Sequence, residues 1–113
     1  MQIEEKQHAT YITLIPEGEL DAHSSVHLDD RIQRLIESGK INIHIDGKGI
    51  RYISSAGLGV FISYLDELAE RKGKFILTSL NDNVREVFIL LGLNKLDNLL
   101  ILDDETAVSS YFS

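Results

Sequence analysis

The chain has 113 residues, 43% hydrophobic and 26% charged, with 11 Lys and Arg against 18 Asp and Glu for a formal net charge of −7. That length suits about one domain with a core that needs no staple. The absence of cysteine excludes disulfide scaffolds, iron–sulfur clusters and thiolate zinc sites.

The basic residues are scattered, so the phosphate-facing patch of a nucleic-acid binder is missing. Residues 1–6 include Glu4 and Glu5 and no apolar run, which argues against a signal peptide. No stretch approaches the roughly 18 apolar residues of a membrane span. The expectation is a cytoplasmic protein with no membrane insertion.

In chain order, Tyr11, Ile12, Thr13, Leu14 and Ile15 alternate and are β-rich. They predict a strand that pairs with residues 2–6 as an opening hairpin. Gly18 breaks the pattern. From Val26, the residues Leu28, Ile32, Leu35 and Ile36 fall on one helical face. Asp21, Ser24 or Ser25 is placed to cap that helix, and Gly39 to end it. Residues 41–45 alternate again as a strand, and Gly47 and Gly49 mark the following loop. A second helix is predicted over residues 55–72, with Leu58, Phe61, Ile62, Leu65, Leu68 and Ala69 on its apolar face. Residues 75–78 are a short apolar run of the kind found in buried parallel strands. Asn81 or Asp82 starts a third helix with Val84, Val87, Phe88 and Leu91 on one face. Residues 99–102 form a last strand, and a final helix capped by Asp103 or Asp104 ends near Phe112.

The order β-β-α-β-α-β-α-β-α predicts a single α/β domain over residues 1–113. Its sheet is mostly parallel, with about four to five strands and four to five helices. Function in such sheets gathers where strand carboxyl ends lead into helix N-termini. That rule singles out residues 18–25 and 47–59.

Within the second segment, Arg51-Tyr52-Ile53-Ser54-Ser55-Ala56-Gly57-Leu58-Gly59 sets two serines at a helix start. Serines there ordinarily act as caps. A helix N-terminus also presents free amides and a positive dipole end that stabilise an anion. A phosphate on Ser55 would therefore suit the fold while adding about −1.5 to −2 charges. Burying that charge unpaired against a partner costs several kcal/mol, or ~100-fold or more in affinity. With about 100° per residue, Val60 and Tyr64 fall opposite Leu58, Ile62 and Leu65. They are expected as an outward apolar pair beside the serines, either a partner-binding patch or scattered surface apolars.

Gly18-Glu19-Leu20-Asp21, the helix after it, the Ile-rich strand, and Tyr52-Ile53-Ser54-Ser55-Ala56-Gly57-Leu58-Gly59-Val60 resemble a bacterial anti-sigma factor antagonist of the STAS family. The resemblance covers essentially the whole chain. It implies a STAS fold and no enzymatic activity. It also implies an unphosphorylated state that binds an anti-sigma factor or serine kinase and frees a sigma factor. By position Ser55 matches the phosphoacceptor, with Ser54 a second candidate, and Asp21 matches an acidic residue near it. Asp21, Ser54, Ser55, Ala56, Gly57, Val60 and Tyr64 are the implied partner-binding set. A phosphatase would reset the switch, and the chain alone is expected as a monomer. The pattern departs from the usual Asp-Ser-Ser-Gly or Asp-Ser-Thr-Gly in having Ser54 for the Asp and Ala56 for the second Ser or Thr. A second STAS reading is a scaffold or regulatory subunit of a stressosome-like or transport complex without phosphoregulation.

Other chemistries fit less well. A serine hydrolase needs Gly-x-Ser-x-Gly and a base, and Ile53 stands where the first glycine belongs. Gly47-Lys48-Gly49 and Gly57-Leu58-Gly59 match neither a Walker A loop nor a dinucleotide fingerprint. His23 and His27, with Asp21 nearby, lack the further ligands that zinc requires. No cofactor or metal is expected.

Overall fold

The computed structural model describes residues 1–112. Ser113, the last position of the expected domain, lies outside them. β1 (Gln2–Gln7) and β2 (Ile12–Leu20) form the predicted hairpin, with Gln2 opposite Glu17 and Gln7 opposite Ile12. β3 (Asn42–Asp46), β5 (Lys74–Thr78) and β6 (Leu99–Leu102) extend the sheet in parallel in the order β1-β2-β3-β5-β6. β3 and β5 are buried along almost their whole length, as strands covered on both faces are. β1 forms one edge, and its exposed Glu4, Glu5 and Lys6 protect that edge from further pairing.

The helices are α1 (Ser25–Glu37), α2 (Ser55–Glu70), α3 (Asp82–Leu90) and the short α4 (Val108–Tyr111). Strand alternation decides what each face of the sheet meets. Ile12, Leu14, Ile43, Ile45, Phe75 and Leu77 pack with α1, α2 and α3 in the main core. Phe61 of α2 meets Phe75 and Phe88 edge-on at 5.4 and 5.7 Å between ring centres. On the other face, Ile76 packs with Val108 and Phe112. Among the described residues no helix is long and apolar enough to cross a membrane.

Two local findings go beyond the expected elements. The sheet has six strands, because β4 (Ile50–Ile53) follows a 3-10 turn at Gly47–Gly49 and pairs in parallel with the end of β2. Its buried residues, Ile50 and Ile53, are three apart, so the period-two signature of a strand is absent. β2 also continues past Ile15, through Pro16. Pairing with β3 stops at Leu14 and pairing with β4 starts at Gly18, so the missing proline N–H falls in the gap between them. The register slips between Gly18 and Glu19, and Gly18 takes a φ of 121° that favours glycine.

α2 is rotated relative to its expected face. Val60 is buried, whereas Ile62 is 46% exposed and Ala69 lies at the surface. The cause is α1, which packs beside α2. Tyr64 of α2 donates its hydroxyl to the Asp29 carboxylate of α1 at 2.8 Å. Burial and that carboxylate push the Tyr64 phenol well above its ordinary value. Leu91 likewise leaves the predicted α3 face, lying past the helix end and exposed.

Two glycines give a paired prediction. A Cβ on Gly73 would stand 2.3 Å from the Ile41 carbonyl oxygen, while one on Gly59 meets nothing within 4 Å. Gly73→Ala should destabilise the domain by ~1–3 kcal/mol. Gly59→Ala should be neutral or stabilising by up to ~1 kcal/mol, since α2 loses a helix-interior glycine. Urea denaturation of both variants reads the difference.

Candidate functional site

The two segments singled out by the sequence meet where β2 and β4 end side by side. Leu20 is the register partner of Ile53, so the chain leaving β2 toward α1 runs next to the chain entering α2. The Leu20 carbonyl accepts from the Ser54 amide at 2.8 Å and from the Ser54 hydroxyl at 3.0 Å. The same hydroxyl accepts from the Gly57 amide at 3.2 Å, and the Ser54 carbonyl accepts from the Leu58 amide at 3.0 Å. Ser54 is thus the N-cap of α2 in an extended conformation. Its hydroxyl is committed in both directions.

Ser55 differs in every respect. It is the first residue of α2, it is exposed, and its hydroxyl has no partner among the described residues. It stands at the end of a 16-residue helix where backbone amides lack intrahelical acceptors. The geometry separates the two serines into a structural cap and a free hydroxyl.

Asp21 organises the other segment. Its carboxylate accepts from the His23 amide at 3.0 Å, the Ser24 amide at 2.8 Å and the Ser24 hydroxyl at 3.1 Å. These bonds, led by those from Ser24, hold the Asp21 carboxyl below its ordinary value. Ser24 also donates to the Glu19 carbonyl. Asp21 and Ser24 therefore shape the loop ahead of α1, and Ser24 makes no side-chain cap to that helix.

The remaining predicted site residues divide by exposure. Ala56 is half-buried. Gly57 is buried, and a Cβ there would come within 2.8 Å of both the Leu20 carbonyl oxygen and Ile53 Cγ1. The missing side chain lets α2 start this close to β2. Val60 corrects the expected outward patch, because at 7% exposure it belongs to the core beside α1. Tyr64 is half-buried and held by Asp29.

The exposed apolar residues near the serines are instead Tyr52 at 51% and Ile62 at 46%. Tyr52 borders an apolar cleft of about 300 Å³ between β4 and α3, lined by Ile53, Val84 and Val87. Asn81 closes the edge of β4 there, donating to the carbonyls of Ile50 at 3.2 Å and Arg51 at 3.3 Å. Tyr52 was hidden because β4 itself was unread. Ile62 was hidden because the helical face was assigned against the sheet alone. Among the described residues no group of three His, Asp or Glu is arranged to hold a metal.

The division between the serines predicts unequal effects on stability. Ser54→Ala should cost ~1 kcal/mol through the lost cap. Ser55→Ala should stay within about 0.5 kcal/mol of the parent, as surface changes do. Thermal melts of the two variants test the assignment.

The model of the STAS domain matches residues 1–105. A curated protein of Listeria monocytogenes, an anti-sigma-B factor antagonist, is 26% identical over 106 residues, which is 93% of this chain and 93% of that protein. A solved structure of an anti-sigma factor antagonist candidate from Thermotoga maritima aligns with a TM-score of 0.89 at 22% identity, over 97% of this chain and 93% of that one. The Bacillus cell fate determinant SpoIIAA in its phosphorylated form aligns with a TM-score of 0.75 at 21% identity, over 97% of this chain and 99% of that one. The two structural likenesses show a shared fold.

Proposed function

The chain belongs to the STAS domain family, and from that premise we propose that it is an anti-sigma factor antagonist switched off by phosphate at Ser55. It is a regulatory binding domain and not an enzyme. In the proposed cycle the bare domain binds an anti-sigma factor that is also a serine kinase, freeing a sigma factor in the cytoplasm. The kinase phosphorylates Ser55 and the complex separates. A phosphatase restores the bare serine.

The observation that carries this reading is the free, exposed hydroxyl of Ser55 at the first position of α2. A phosphate there leaves the Ser54 cap untouched and sits at the positive end of the helix. It adds about −1.5 to −2 charges to a surface that the partner must cover. Support also comes from the relatives. The Listeria protein is named for antagonism of an anti-sigma factor, and the Bacillus protein has a phosphorylated form. The departure at Ser54 is compatible with this cycle, because Ser54 already provides the cap and the bond to Leu20. The proposed contact surface is Ser55 with Ala56, Tyr52 and Ile62, flanked by the Asp21 loop.

The test uses tagged wild type, Ser55→Ala and Ser55→Asp as baits in the host. Wild type and Ser55→Ala should retain a protein of the anti-sigma or serine-kinase class, and Ser55→Asp should lose it by ~100-fold in affinity. Equal retention by Ser55→Asp would remove the switch. Retention of a complex with no such partner would favour the scaffold reading instead.

A further inference from the structure

The face of the sheet turned away from α1, α2 and α3 carries a feature with no part in the Ser55 site. Its apolar cover is α4 with Phe112. Val108 and Phe112 pack on Ile76, with Tyr11, Leu100 and Leu102 at the margin. Beside this patch lies a cleft of about 300 Å³. The charged and titratable groups facing it are Lys6, His8, Tyr11, His44, Asp46, Lys48 and Glu105.

A chain of hydrogen bonds crosses that face from the surface inward. His8 Nε2 lies 3.0 Å from the Thr13 hydroxyl, which lies 2.9 Å from His44 Nδ1. His44 Nε2 lies 2.8 Å from the Thr78 hydroxyl. Thr13, His44 and Thr78 are all at least 97% buried. With neutral imidazoles each link holds one proton, and the chain can run in either direction. A second proton on His44 makes both ring nitrogens donors, so both threonines are forced to accept.

The aromatic rings tie this chain to α4. Tyr11 stacks on His8 at 4.2 Å and on Phe112 at 5.0 Å, and its edge meets His44 at 6.3 Å. The ring that shields His44 is thus the ring on which Phe112 is seated.

We propose that His8–Thr13–His44–Thr78 is a proton-operated latch for the α4 segment. With His44 neutral, Tyr11 and Phe112 close over the sheet. With His44 charged, Phe112 and Val108 lift away, water reaches the imidazolium, and the Ile76–Leu100–Leu102 surface is uncovered.

The sign follows from linkage. In the closed form burial, the largest influence, holds the His44 imidazole below its ordinary value, against the opposing pull of Asp46 and Glu105. His8 adds to the lowering. In the open form His44 meets water and regains the ordinary value, about 6.5. The open form therefore binds more protons in mild acid. The contribution of neutral His44 to closure is fully present well above about pH 6.5 and is lost as pH falls through and below it, until the lowered value is passed. Between pH 7.5 and pH 5 one such site shifts the equilibrium by at most ~30-fold.

NMR titration of the isolated domain tests this, following the Val108 methyls, the Tyr11–Phe112 ring contacts and the four imidazoles. The open population should rise between pH 7.5 and pH 5, with a midpoint shared by His44, while α1 and α2 stay unchanged. In His44→Gln the dependence should vanish. Opening that survives in His44→Gln, or no opening at pH 5, overturns the latch. If His44→Gln does not fold, the wild-type midpoint decides, and opening that tracks His23 or His27 instead of His44 also overturns it. Since no partner is present, the outcome is independent of the Ser55 reading.

Discussion

The carbonyl oxygen of Leu20 is the point on which the functional end of this molecule depends. It terminates β2 and accepts both the amide and the hydroxyl of Ser54. The same hydroxyl, which donates to Leu20, accepts from the Gly57 amide and so starts α2 in the same place. The parallel pairing of Leu20 with Ile53 brings the two chain segments together, and the missing side chain of Gly57 lets the helix begin in contact with the strand. A side chain at Gly57, or loss of the Ser54 hydroxyl, would disturb the strand end and the helix start together.

That arrangement explains how adjacent serines acquire different chemistry. A hydroxyl that caps a helix is engaged with the backbone and costs stability when removed. The next residue is the first of the helix proper, is exposed, and has no side-chain partner among the described residues. Charge at that position is favourable to the folded chain, through the helix dipole, and unfavourable to a complex that must bury it. Opposite effects on fold and on binding are what a reversible switch requires. The acidic chain, at −7 overall, adds solubility without contributing to this local balance.

Much of the fold could be read from periodicity. α1 shows its buried Leu28, Ile32, Leu35 and Ile36 directly, β3 announces itself by alternation and β5 as an apolar run. β4 could not be read, since its two buried isoleucines follow the geometry of a bulged partner strand and not a period of two. The face of α2 was misjudged for a similar reason. A helix read alone has one apolar arc, but α1 supplies a second neighbour that buries Val60 and leaves Ile62 outside. Ser55 was legible from its place before an apolar helical run. Its freedom, and the engagement of Ser54, depended on Leu20, which lies 34 residues away in sequence. His44 is the same case, because Thr13 and Thr78 lie 31 and 34 residues from it.

The most direct measurement of the account is site-resolved phosphate mapping by mass spectrometry, comparing the free protein and the partner-bound protein isolated from the same cells. The account predicts phosphate on Ser55, none on Ser54, and a bare Ser55 throughout the bound pool. Phosphate on Ser54, or phosphorylated Ser55 within the complex, would contradict it.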